Sequence, residues 1–143
     1  MAKFKCFFVV IIILFPALVS SQYFGKNKVQ YQLFDWKFIQ SEHFDIYFTE
    51  GGEEIATFVA EISEASYKRL KASLRFDLVD RITIIAYNSH NDFGQTNVSL
   101  APPEESVGGF TEFFKNRVVL PFDGNWEQFR HVIHHELTHA VML

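Results

Sequence analysis

His43-Phe44-Asp45-Ile46-Tyr47-Phe48-Thr49-Glu50-Gly51-Gly52-Glu53-Glu54-Ile55 changes its periodicity partway along. Phe44, Ile46 and Phe48 alternate with His43, Asp45 and Tyr47, the two-residue repeat of a strand with one buried face. Glu50-Gly51-Gly52 reads as a turn. Beyond it, Ile55, Phe58, Val59, Ile62, Leu70 and Leu74 recur at helical spacing, while Glu53, Glu54, Glu61, Glu64, Lys68 and Lys71 fall elsewhere. The spacing predicts an amphipathic helix from about Glu53 to Leu74. Its acidic residues cluster at the start and its basic ones near the end, as a helix dipole favours. Upstream, Phe34-Asp35-Trp36-Lys37-Phe38-Ile39-Gln40 supplies the partner strand of a hairpin.

Ile82-Thr83-Ile84-Ile85-Ala86-Tyr87 is a β-rich run suited to an interior strand. Asn88 to Asp92 ends it and opens a short helical turn. Asn97-Val98-Ser99 matches a glycosylation sequon, a pattern that three residues meet easily, and Leu100 to Val107, with Pro102 and Pro103, reads as an exposed loop. Gly108 to Phe114 and Arg117 to Pro121 then predict a second hairpin turning at Lys115-Asn116. Asn125, followed three residues later by Gln128, has the form of a capping box. It opens a last helix whose apolar positions are Phe129, Val132, Ile133, Ala140 and Val141. The order predicts an α+β fold: a mixed, mainly antiparallel sheet carrying an amphipathic helix and this C-terminal helix.

A chain of 143 residues accommodates one domain with a substantial core, and 17 phenylalanines offer ample material to bury. The formal charge of −4, with no basic cluster, argues against nucleic acid as a partner. Lys3 and Lys5, the apolar run Cys6 to Phe15, the break at Pro16 and the small residues of Ala17 to Ser21 have the layout of a secretory signal peptide. That run is about ten residues, well short of the ~20 needed to cross a bilayer, so no stable membrane span is expected after cleavage. The expected division is a leader over 1–21 and a domain over 22–143. The product is exported, to the periplasm, the cell envelope or the medium. Cleavage also removes Cys6, the single cysteine, so a metal site in the remaining chain must use His, Asp or Glu.

The last predicted helix contains His135-Glu136-Leu137-Thr138-His139, an H-E-x-x-H motif. Residues i and i+4 of a helix share a face, so the His135 and His139 imidazoles can grip one Zn2+. Glu136 then lies where its carboxylate can serve as a general base. His131 shares the face of His135. Three ligands in line on one straight helix would spread over about 12 Å, so His131 is expected at the surface or as an outer partner. His134 is expected to point elsewhere, and the isolated His43 and His90 to be structural. A metzincin would place Gly where Met142 stands, which favours a site completed by an acidic residue from a later helix. The chain stops at Leu143 before such a helix, so the domain is expected to be truncated after the motif. Glu112 is an upstream acid that could substitute, although no spacing singles it out.

Phe34-Asp35-Trp36, Gln40 to Tyr47, Tyr87 to Phe93 and His134 to His139 together resemble the N-terminal part of bacterial peptidase-MA-like, gluzincin-type proteins. The resemblance spans nearly all of 22–143, and its most specific element is the H-E-x-x-H motif. It implies a zincin-like N-terminal subdomain with zinc ligation by His135 and His139, general-base catalysis by Glu136, and a peptide or protein substrate. It also implies a hairpin beside the cleft and a downstream β-propeller in the full-length protein. The expected function is an exported zinc metallopeptidase, incomplete in this chain. The alternative is a non-catalytic cell-envelope binding module on the same scaffold.

Overall fold

The computed structural model describes residues 33–75, 77–95 and 108–142. The expected leader, the sequon and the proline-containing loop all lie outside the described residues.

The first hairpin is formed by β1 (Trp36–Gln40) and β2 (Phe44–Thr49), paired antiparallel with Phe38 opposite Tyr47. Helix α1 (Glu53–Leu74) carries the chain to β3 (Ile82–Tyr87), which lies parallel to β2. A short helix α2 (His90–Gly94) follows, capped by the Ser89 hydroxyl, which accepts the Asp92 N–H. Next come β4 (Phe110–Glu112) and β5 (Arg117–Pro121), antiparallel to each other, with β5 parallel to β3. Helix α3 (Trp126–Val141) closes the described chain.

The sheet order is β1-β2-β3-β5-β4, so the α+β class and the mixed sheet expected from the sequence are both present. Antiparallel pairs lie at the two edges and parallel pairs in the middle, two of each.

One face of the sheet packs against α1 and α3. Phe44, Ile46, Ile82, Ile84, Val118 and Leu120 point into this layer and meet Val59, Phe129, Ile133 and Leu137 from the helices. Burying each such side chain contributes about 1.5–3 kcal/mol. The helices meet through aromatics, with the Phe58 ring 4.8 Å from Trp126 and 6.2 Å from Phe129. Leu74, expected in the buried stripe, is 42% exposed at the last residue of α1, before the left-handed cap at Arg75. On the opposite face, Tyr87, Phe93 and Val119 form a smaller cluster beneath α2.

The second hairpin turns differently from expectation. A 3₁₀ turn over Phe113–Lys115 and a left-handed Asn116 (φ 47°) replace the two-residue Lys115-Asn116 connection. A tight two-residue hairpin turn of the favoured type needs two positive φ values; asparagine tolerates one, whereas lysine pays for the clash of its Cβ.

The capping box is also only half formed. The Asn125 side chain accepts the N–H groups of Glu127 and Gln128, both at 3.1 Å. Its own N–H goes to Asp123 Oδ1 at 2.9 Å instead of to Gln128. Among the described residues no helix is long and apolar enough to cross a membrane.

Candidate functional site

Helix α3 begins at its Asn125 cap and buries Phe129, Ile133, Leu137 and Val141 against the sheet. That anchoring sets its rotation, and the motif histidines are turned outward as a result. His135 Nε2 and His139 Nε2 stand 3.1 Å apart, their rings nearly perpendicular at 86°. Two nitrogens held by one tetrahedral zinc at about 2.0–2.1 Å would be ~3.3 Å apart. The observed separation is close to that value, and the two nitrogens as described share a hydrogen bond. Both side chains are exposed, and they line an open groove together with Glu136.

Glu136 is buried, at 8% exposure. Thr111 of β4 donates its hydroxyl to Glu136 Oε2 at 2.6 Å and also lies 3.2 Å from the Glu136 carbonyl oxygen. Oε1 accepts no hydrogen bond from the described residues, and Glu136 forms part of the groove wall.

This proximity depends on Gly109. A β-carbon there would sit 2.9 Å from Glu136 Cγ and 3.1 Å from both Leu120 Cδ2 and Val132 Cγ1. Glycine lets the approach to β4 lie directly on α3. Sequence reasoning singled out neither Thr111 nor Gly109. The one available signal was strand alternation, which turns Thr111 inward with Val118 while Phe110 and Glu112 point the other way.

That alternation also corrects the suggestion that Glu112 could complete the site. Glu112 lies on the opposite face of β4 and is engaged by Arg117 and Lys115. His134 departs from expectation too, since it lines the same groove as His131, His135 and His139. His131 is exposed there, as expected of a surface residue. Among the described residues no third imidazole or carboxylate joins His135 and His139 in a metal-sized group.

A Glu42, His43 and Glu64 trio does bring its ligand atoms within 4.8 Å of one another. Its bonding is that of a structural latch. Glu64 Oε1 accepts from the Ser41 hydroxyl at 2.6 Å and the His43 N–H at 2.8 Å, while Oε2 is 2.9 Å from His43 Nδ1. These contacts tie the first hairpin's turn to the middle of α1 and fill the Glu64 carboxylate. Burial alone would raise the Glu64 carboxyl, but the three hydrogen bonds and the His43 charge outweigh it and hold the group below its usual value. His43, expected to be structural, is placed in this latch, and its ring also packs 4.5 Å from Tyr67. His90 rests against Phe93, away from the groove.

No protein-family model matches the chain, and no curated protein does so either.

Proposed function

We propose that this chain carries the zinc-gripping helix and the general base of an exported zinc metallopeptidase, as its H-E-x-x-H motif and leader-like N-terminus suggest. The observation that carries this reading is the 3.1 Å separation of His135 Nε2 and His139 Nε2 beside the buried Glu136, in one groove. In it, His135 and His139 would hold Zn2+, which would supply the Lewis acidity that makes a water acidic enough to lose a proton to a carboxylate at neutral pH. Glu136 accepts a proton from the water as its oxygen bonds to the peptide carbonyl carbon, and delivers it to the amine nitrogen as the C–N bond breaks. β4 is an edge strand of the described sheet, next to α3, so an extended peptide could align along it by strand addition.

Zinc titration of the chain beside its His139→Ala and Glu136→Gln variants tests the reading. The expected result is one zinc per chain, lost in His139→Ala and retained in Glu136→Gln, with the zinc-dependent peptide hydrolysis of the full-length protein abolished by Glu136→Gln. Absence of zinc binding in the parent chain would remove the catalytic reading and leave a non-catalytic binding module.

A further inference from the structure

We propose that Thr111 is a positioning residue for Glu136, an inference that rests on the peptidase reading above. A glutamate on a helix turns about three side-chain bonds, so burial alone does not determine where its carboxylate points. The Thr111 hydroxyl determines it by donating to Oε2 at 2.6 Å from a side chain that is itself 6% exposed. Hydrogen bonds from a neutral donor to a carboxylate are short and strong, and a 2.6 Å separation belongs to that class.

The support behind the hydroxyl is rigid. Thr111 is the middle residue of β4 and pairs with Val118, which is fully buried in the main core. A β-branched side chain has little χ1 freedom, so the ladder that holds the backbone also aims the oxygen. With Oε2 tied, Oε1 accepts no hydrogen bond from the described residues, on a side chain that lines the groove beside His135 and His139. Gly109 completes the arrangement by allowing the chain entering β4 to lie within a β-carbon's reach of Glu136 Cγ. The contact spans 25 residues of sequence and joins the sheet edge to the motif helix. Thr111 holds no metal and need not touch substrate; its role is to hold the base in register with the histidine pair.

Thr111→Val removes the hydroxyl at nearly constant volume, and Thr111→Ser keeps the hydroxyl while removing the methyl. In the zinc-loaded full-length protein, kcat for peptide hydrolysis is expected to fall about 10–100-fold in Thr111→Val, the scale on which misplaced groups lose catalysis. KM and zinc affinity should stay within about threefold, and Thr111→Ser should recover most of the rate. A readout free of activity comes from denaturant unfolding of the metal-free chain. Thr111→Val should lower the midpoint in the parent background and leave it nearly unchanged in Glu136→Ala, because the two groups are coupled. Equal midpoint losses in both backgrounds, or an active parent with an equally active Thr111→Val, would overturn the positioning role alone. A full-length protein that binds zinc yet hydrolyses no peptide would overturn the peptidase reading, and with it this role.

Discussion

Gly109 and Glu136 meet so closely that a β-carbon on the first would lie 2.9 Å from Cγ of the second. The sheet edge and the motif helix are thus packed backbone against side chain, with no room for even a methyl group. Gly109→Ala should therefore force β4 and α3 apart and destabilise the chain by about 1–3 kcal/mol, the usual cost of overpacking. Urea unfolding of the two proteins measures it. An unchanged midpoint would mean that the strand and helix are not held at this distance.

The start of α3 depends on one side chain. Asn125 accepts two helix N–H groups at 3.1 Å each, so Asn125→Ala should cost about 1 kcal/mol. Gln128→Ala should cost no more than a few tenths of that order, because Asp123 rather than Gln128 takes the Asn125 N–H. Thermal unfolding of the two variants distinguishes this half-formed cap from a complete capping box, in which both substitutions would matter.

The latch between the first hairpin and α1 is sensitive to acid. The Glu64 carboxyl is held below its ordinary 4.5 in the folded chain. Its contribution is therefore present above that value and lost as pH falls through the folded value. Glu64→Ala, which leaves the Ser41 hydroxyl and His43 N–H without their acceptor, should cost about 1–3 kcal/mol at neutral pH. The gap between the variant and the parent should narrow below pH 4.5. Denaturant midpoints on both sides of that pH check the sign, and a gap that widens in acid would contradict it.

At the alkaline end the sensitive group is Tyr87. Burial, with Trp36 at 5.4 Å and Phe93 at 6.2 Å, pushes its phenol from 10.0 up to about 12, while Arg117 pulls weakly the other way. A raised value favours the neutral form in the folded state. The contribution is full below pH 10.0 and is lost as pH rises toward about 12. It amounts to about 3 kcal/mol, and Tyr87→Phe should flatten the decline in stability over that range. Tyrosinate absorbance titration of the parent and the variant would identify the late-titrating phenol.

Much of this molecule was legible in local pattern. The alternation of Phe44, Ile46 and Phe48, the apolar spacing from Ile55 to Leu70 and the Asn125 signal each specify an element, because strand and helix periods are properties of neighbouring residues. The His135 and His139 pairing was equally local, since one turn of helix brings positions four apart together. The order of strands and the burial of Glu136 were not legible in this way. The same holds for the distant Thr111 hydroxyl that holds the Glu136 carboxylate and for the turning of Glu112 away from the groove. These depend on which strand lies beside which and on how α3 is rotated against the sheet, and those choices are made by burial summed over the whole core. The sequence by itself determined that His135 and His139 share one helix face beside Glu136. Only the tertiary structure decided how the Glu136 carboxylate is held, because its partner comes from a strand 25 residues away that only folding brings into contact.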